Sequence, residues 1–218
     1  MKKIWFCLPM LFCVSFAHAQ SAIDFAVGGG TATNTSNHAG IDNINSANAF
    51  GSCTPGTGDP FCQTTPGMGG FFLGFSGDIM FKEHFGAGAE VNFQPAHLNY
   101  GPFEYRQTFL DINGIYEPII KKRAIVQLQG GLGSARTSFQ FSQNSCVGTA
   151  VCSTGTQPVG SETHFQVHAG VGLQIGITEH IFIRPQFDVH YVPNLTDQFG
   201  RNVVPEYTIW LGYHFGEK

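Results

Sequence analysis

Two histidines lie among apolar residues at positions that can support metal binding or acid–base chemistry. His168 and His190 flank a tight turn at residues 178–180. If that turn joins two antiparallel strands, its register places the two imidazoles opposite each other. Such a pair can bind a metal ion or titrate near neutral pH. The sequence shows no carboxylate or cysteine that completes a ligand set, so we expect no metal site, with the imidazoles satisfied by water and Asp188.

The first 19 residues have the features of a secretory signal peptide. Residues 1–3 carry positive charge, residues 4–16 form an uncharged apolar run, and residues 17–19 offer small residues to signal peptidase. We therefore predict a signal peptide at residues 1–19 and one mature domain at residues 20–218. Acidic residues outnumber Lys and Arg by 15 to 11, which argues against nucleic acid as a partner.

Four further cysteines occur as two close pairs in segments rich in Gly, Ser and Thr. The pairs are Cys53 with Cys62 and Cys146 with Cys152. Export through an oxidising compartment favours disulfide bonds within each pair. A metal site would require histidines at ligand spacing near these cysteines, and none are there.

Apolar residues alternate with small or polar residues in eight segments, near residues 23–27, 71–81, 85–93, 103–116, 124–132, 165–175, 181–191 and 207–215. A period of two predicts strands with two different faces. Long or moderate connections, at residues 34–68, 97–102, 142–161 and 193–203, alternate with short turns at residues 82–84, 117–123 and 178–180. Unequal connections of this kind are typical of an up-and-down outer-membrane barrel.

The polar face of these strands distinguishes a membrane barrel from a soluble, lipocalin-like barrel. Together with many glycines it carries seven charged residues: Asp24, Asp78, Glu90, Asp111, Arg184, Asp188 and Glu206. Glycines suit the narrow interior of an eight-stranded barrel, and the charges can form a buried network there. The apolar face then contacts lipid. The sequence therefore predicts an all-β fold, an eight-stranded antiparallel up-and-down transmembrane β-barrel.

The chain resembles the small eight-stranded outer-membrane barrels of the OmpA/OmpX type. The resemblance rests on the signal peptide, the eight segments, the unequal connections and the last strand. It implies an outer-membrane location with a periplasmic N-terminus and extracellular long loops, and contact with outer-membrane lipid and lipopolysaccharide. It also implies biogenesis through periplasmic chaperones and the barrel-assembly machinery. The implied assembly signal is the alternating set Tyr207, Ile209, Leu211, Tyr213 and Phe215.

We expect a structural, adhesion or surface-interaction role, in which the long loops contact an extracellular partner. One alternative is a narrow porin, but bulky lumen residues such as Trp210 favour a plug. Another is an enzyme similar to outer-membrane lipid A deacylases, which use a His and a Ser two residues apart. His190 is present, but Val192 stands where that serine would be. We therefore expect no catalytic residues and no cofactor.

Two further features concern the lipid boundary. Arg106 and Arg136 are expected to be near-opposite on neighbouring strands, to face outward, and to lie near the long-loop end. Two guanidinium groups placed there can bind a lipopolysaccharide phosphate bidentately. Aromatic residues near the short turns should anchor at the inner headgroup level. These residues are Phe81, Phe85, Tyr116, Tyr213 and Phe215.

Overall fold

The alternating segments form eight antiparallel strands that close into one ring in the computed structural model of this protein. The ring strands are β1 (Ala22–Ala32), β2 (Phe72–Lys82), β3 (Phe85–Phe93), β4 (Phe103–Lys121), β5 (Ala124–Val147), β6 (Val151–Gly176), β7 (Ile181–Tyr191) and β8 (Val203–Phe215). Consecutive strands pair with each other, and Ile23 of β1 lies opposite Phe215 of β8 to close the ring. The predicted all-β, up-and-down barrel is confirmed.

The structure describes residues 22–36, 38, 40–42, 53–58, 62–147 and 151–216. The predicted signal peptide at residues 1–19 lies outside this range. A short strand, Leu98–Tyr100, extends the β3–β4 hairpin by pairing with the start of β4. A 3₁₀ helix, Leu195–Asp197, lies between β7 and β8.

No helix in the described part of the chain is long and apolar enough to cross a membrane.

The two faces of each ring strand differ in exposure as the alternation predicts. In β8 the apolar residues are exposed, with Ile209 at 59% and Leu211 at 53%, whereas the intervening Trp210 is fully buried. The predicted aromatic set near the short turns is exposed too, and within it Phe85 stacks on Tyr116 with ring centroids 5.0 Å apart. Because a closed ring satisfies its backbone groups internally, this apolar exterior suits lipid.

Short turns join β2 to β3, β4 to β5 and β6 to β7 at one end of the barrel. The predicted turn at residues 117–123 is wrong in extent, because β4 continues to Lys121 and β5 begins at Ala124. The β4–β5 register shifts between Tyr116 and Ile119. Pro118 lies inside this shift, where a residue without an N–H group is tolerated because the ladder is already interrupted.

One of the longer connections at the opposite end is a strand pair. The sequence predicts a loop at residues 142–161, and this prediction is wrong because β5 runs to Val147 and β6 begins at Val151. Residues 141–147 of β5 and 151–157 of β6 pair with each other and with no other strand of the described chain. We call these residues the ribbon. The outer backbone edge of each of its two strands forms no pairing with a ring strand.

The disulfide predicted between Cys53 and Cys62 is confirmed. It lies next to a small separate sheet, in which Gly40–Asp42 pairs with Cys62–Thr64. Cys146 and Cys152 are cross-strand partners in the ribbon. Their side chains lie outside the described part of the structure, so the second disulfide stays a prediction.

An apolar cluster closes the barrel at its long-connection end. Its members come from the ring strands and from the connections, which fold inward over the lumen: Ala32, Met68, Phe72, Tyr100, Phe103, Tyr105, Phe109, Ala135, Phe139, Val192, Leu195, Phe199 and Val204. We call this set the aromatic plug. Tyr100 donates its hydroxyl hydrogen to the carbonyl of Gln198. Burial raises the pKa of Tyr100, so its hydroxyl remains a donor.

Trp210 fills the middle of the lumen because glycines face it from β1 and β2. A Cβ atom added at Gly28 would lie 2.5 Å from Trp210 Cε3, and one added at Gly74 would lie 2.5 Å from Trp210 Cη2. Real Cβ contacts are essentially never that short, so the indole ring fits only if residues 28 and 74 are glycines. Glycine is needed here for space.

We expect Gly28→Ala to destabilise the folded barrel by about 1–3 kcal/mol, because the added methyl overpacks the lumen against Trp210. Adding Trp210→Leu to that variant should restore part of the lost stability, because the smaller side chain leaves space for the methyl group. Reversible urea unfolding in lipid vesicles measures the difference. Gly69→Ala is the matched control, because a Cβ there meets nothing within 4 Å. Equal effects of Gly28→Ala and Gly69→Ala would contradict the packing argument.

Candidate functional site

The lumen contains a chain of buried polar side chains, and Arg184 is its central cation. Arg184 Nη1 donates to Asp78 Oδ2 at 2.8 Å and to Gln127 Oε1 at 2.6 Å. Its Nη2 atom donates to Ser76 Oγ at 3.2 Å. The guanidinium carbon also lies 5.7 Å from the ring centroid of Trp210, a cation–π distance. These contacts surround the guanidinium with acceptors and a π face.

Two carboxylates without a cationic partner lie in the next layer toward the aromatic plug. Gln129 Nε2 donates to Asp188 Oδ1 at 2.9 Å and more weakly to Glu90 Oε2 at 3.3 Å. Gln186 Nε2 donates to Asp188 Oδ2 at 2.8 Å. Asn92 Nδ2 donates to Glu90 Oε1 at 2.9 Å. Amide donors therefore hold two acidic side chains that form no ion pair with an arginine or lysine of the described residues.

The two histidines singled out in the sequence face each other above this layer. His168 and His190 are cross-strand partners, as the turn register predicts, and their rings stack with centroids 5.2 Å apart. His190 Nε2 lies 3.0 Å from Glu206 Oε2, and His168 Nε2 lies 2.6 Å from Asn113 Oδ1. Both imidazoles are almost fully buried.

A carboxylate joins this pair, which the sequence analysis did not anticipate. Asp111 of β4 offers an oxygen that lies within 4.8 Å of one ring nitrogen of His168 and one of His190. The three residues come from three different strands, so no spacing along the chain reveals them. Asp188, which the sequence placed beside the pair, lies 3.9 Å from His168 Nδ1, beyond hydrogen-bond distance.

The structure buries all of the charged residues that the sequence assigns to the lumen, and it distributes them along the barrel axis. Arg184 contacts Asp78, whereas Asp24 contacts His214 near the short-turn end. Sequence reasoning missed the neutral amides that supply most of the donors. Their signal was available, since they share the inward parity of their strands: Gln127, Gln129, Gln166, Gln174 and Gln186.

Arg106 and Arg136 both lie outside the lumen, on the outward parity of β4 and β5. Arg106 lies opposite Ser138, and Arg136 lies opposite Thr108, so the two arginines are diagonal neighbours instead of direct partners. The turn between β4 and β5 lies at Lys122 and Arg123, later in the chain than predicted, and this accounts for the difference from the predicted register. Arg106 packs over the ring of Phe93 at 5.5 Å, and Arg136 Nη2 donates to Ser161 Oγ at 3.2 Å.

A closed ring of eight antiparallel strands, apolar outside and packed with polar side chains inside, defines a small integral membrane β-barrel. The model of the family described as outer membrane protein beta-barrel domain matches residues 5–215. The chain belongs to this family, and it is an outer-membrane β-barrel protein. This confirms the resemblance to small outer-membrane barrels. No curated protein matches the sequence.

Two solved structures show how this fold compares with known barrels. Ail, the attachment invasion locus protein of Yersinia pestis, crystallised with the heparin analogue sucrose octasulfate, is 12% identical with a TM-score of 0.51. That comparison covers 90% of this chain and 100% of Ail. Neisserial surface protein A is 10% identical with a TM-score of 0.50, covering 90% of this chain and 98% of the other. At these identities the likeness concerns the fold.

We expect Arg184→Met to lower the free energy of unfolding by about 3–5 kcal/mol, because it leaves the Asp78 carboxylate buried without its cation. The double variant Arg184→Met/Asp78→Leu should be more stable than the single variant, since no unpaired charge remains. Urea unfolding in lipid vesicles compares the three proteins, with Arg136→Met as an exposed control. A double variant no more stable than Arg184→Met would contradict this account of the pair.

Proposed function

We propose that this protein is a non-conducting outer-membrane barrel that binds an extracellular partner through its long-connection end. In this orientation the N-terminus is periplasmic and the ribbon projects from the cell. The ribbon is the observation that carries the proposal. Beyond the residues that pair with the ring, residues 141–147 and 151–157 continue as a strand pair whose two outer edges pair with no other strand of the described chain. Unpaired strand edges are templates for adding a partner strand.

The closed lumen supports an interaction role over conduction. The aromatic plug blocks one end of the barrel, and Trp210 with Arg184 fills the middle. An eight-stranded barrel has an interior just wide enough for side chains. Side chains of this size favour a plugged lumen over a water-filled channel.

The position of His190 also supports an interaction role over lipid A hydrolysis. Its imidazole points into the lumen, where it is 1% exposed and contacts Glu206. A lipid-hydrolysing histidine would have to reach the acyl ester on the outer face of the barrel. Val192, two residues later, belongs to the aromatic plug and offers no nucleophile.

Shortening the ribbon tests the surface role. Replacing residues 143–155 with Asn-Gly should preserve the barrel, because Ser142 and Thr156 are cross-strand partners that a two-residue turn can join. Cells that display the parent protein should adhere to epithelial cells or to immobilised heparin, a probe chosen from the Ail complex. Adhesion of the shortened variant should fall to the level of cells without the protein.

Heat-modifiable migration of both proteins on a denaturing gel provides the folding control for that experiment. If the parent adheres to neither surface, the proposed function is wrong. If the shortened variant folds and adheres as well as the parent, the ribbon is not the binding surface.

We infer that Arg106 and Arg136 contact a phosphate of lipopolysaccharide at the outer headgroup level. Diagonal positions on neighbouring strands place their Cα atoms roughly 7–8 Å apart, which allows both side chains to reach one anion. Stacking on Phe93 holds the Arg106 guanidinium against the outer surface. The outward parity of both residues supports contact with lipid rather than with the lumen.

Lipopolysaccharide should raise the melting temperature of the refolded parent, and Arg106→Ala/Arg136→Ala should lose most of that rise. The physical reason is that two like charges repel each other until an anion lies between them. Lys121→Ala/Lys122→Ala, at the opposite end of the barrel, is the matched control for loss of two positive charges. An unchanged rise in the Arg106→Ala/Arg136→Ala variant would show that the pair is not a lipid site.

We also infer that the last strand is the signal for the barrel-assembly machinery, after periplasmic chaperones deliver the chain. The residues concerned are Tyr207, Ile209, Leu211, Tyr213 and Phe215, which are exposed on the outer face of β8. Their exposure supports recognition by another protein before lipid covers them.

A further inference from the structure

We propose that Asp111, His168 and His190 form a binding site for one divalent transition-metal ion inside the lumen. Two imidazole nitrogens and one carboxylate oxygen are a ligand set suited to Zn²⁺, and they leave a fourth position for water. The three side chains are 2%, 3% and 1% exposed. Their ligand atoms already lie within 4.8 Å of one another.

The hydrogen bonds of the imidazoles leave the Nδ1 atom of each ring available to bind an ion. His190 Nε2 lies against a carboxylate oxygen of Glu206, and His168 Nε2 lies against the side-chain oxygen of Asn113. Both neighbours are acceptors, so each Nε2 carries the hydrogen. In a neutral imidazole the Nδ1 atom then presents its lone pair, which is the form that binds a metal.

Both Nδ1 atoms lack a hydrogen-bond partner among the described residues. Leaving a buried polar nitrogen unsatisfied is unfavourable, and this cost occurs twice within one layer of the lumen. A metal ion bound to both atoms would remove it. Glu206 and Asn113 would then act as outer partners that orient the ligands, an arrangement that metal-binding histidines usually have.

The charge of the lumen independently favours a cation. Arg184 is the only buried Arg or Lys in the described chain, and its guanidinium contacts Asp78. The remaining buried carboxylates of the lumen network are Asp24, Glu90, Asp111, Asp188 and Glu206. Asp111 Oδ1 accepts a hydrogen bond from the neutral amide of Gln166, at 2.8 Å. A divalent ion next to Asp111 would compensate charge where no fixed cation lies.

Binding requires only a small contraction of the three side chains. Bonds of about 2.0–2.2 Å in a tetrahedral arrangement place ligand atoms about 3.4 Å apart. The aromatic plug covers the site on one side, where Phe109 stacks on His190 at 4.6 Å. The layer of Glu90 and Asp188 covers it on the other, with Arg184 and Trp210 beyond that layer. An ion enclosed in this way enters while the barrel folds, so metal must be present during refolding.

The test is refolding of the urea-denatured protein into lipid vesicles with ZnSO₄ or with EDTA, followed by metal analysis. The parent should retain one zinc per chain after gel filtration, and none after refolding with EDTA. Its urea midpoint should be higher with zinc. At a free zinc concentration 100 times the dissociation constant, the unfolding equilibrium constant should change about 100-fold.

Matched variants identify the ligands. His190→Gln and Asp111→Asn should lose the zinc, whereas His164→Gln, on the same face of β6 as His168 but outside the three-residue group, should retain it. Glu206→Gln keeps an acceptor for His190 while removing the charge, so zinc affinity should fall roughly 10–100-fold. Retention of zinc by both His190→Gln and Asp111→Asn would overturn the site.

Cobalt provides a second measurement that uses the parent protein alone, so it does not require any variant to fold. The parent refolded with Co²⁺ should show the visible absorption of a tetrahedral nitrogen–oxygen complex, and equimolar Zn²⁺ added before refolding should abolish it. Absence of both bound zinc and a cobalt spectrum in the folded parent would overturn the proposal. Neither the zinc result nor the cobalt result depends on the ribbon. The metal site can therefore be disproved without disproving the proposed surface function.

Discussion

The narrow lumen of an eight-stranded barrel is the constraint on which the rest of this structure depends. Every second residue of each strand points into a space that side chains must fill completely. Large residues therefore need small ones opposite, as Trp210 needs Gly28 and Gly74. Polar residues need partners within the same layer, because no bulk water is available to satisfy them. Packing and hydrogen bonding are decided together at each level of the barrel.

This constraint explains why the lumen relies on amides. A salt bridge satisfies a carboxylate only when a long cation fits beside it, and Arg184 already occupies the middle of the barrel with its contacts to Asp78 and Gln127. Glutamine is shorter and donates two hydrogens without adding charge. Gln129 and Gln186 can therefore lie between Glu90 and Asp188 in a single layer. In the described chain, six buried acidic side chains of the lumen network share one buried guanidinium.

The sequence predicts the barrel well because strand alternation and connection length are local signals. The exposed Ile209 and buried Trp210 follow directly from parity, and the pairing of His168 with His190 follows from one tight turn. Register fails where the position of a turn is mispredicted, as between β4 and β5, whose turn at Lys122 and Arg123 displaces Arg106 from Arg136. The sequence also fails to predict the full extent of β5 and β6. Polar residues of a strand pair that lies in water carry no hydrophobic alternation to mark them.

Assembly of the histidine layer could not be read from the sequence because it depends on closure of the whole ring. Asp111, His168 and His190 belong to β4, β6 and β7, and only the curvature of the closed sheet brings Asp111 across the lumen to the other two. Pairwise register relates neighbouring strands, but it does not report which side chains meet across the interior. Sites of this kind require the diameter and stagger of the barrel as well as the strand order.

The pairing of β1 with β8 imposes an order of events on folding. Ile23 and Phe215 stand at opposite ends of the described chain yet are direct partners, so the sheet cannot close until the last strand is in place. Until then both strands present bare edges, which promote aggregation. A contact of such long sequence separation also forms slowly. The lifetime of the open sheet, rather than the stability of the finished barrel, then determines how long these edges are exposed to aggregation.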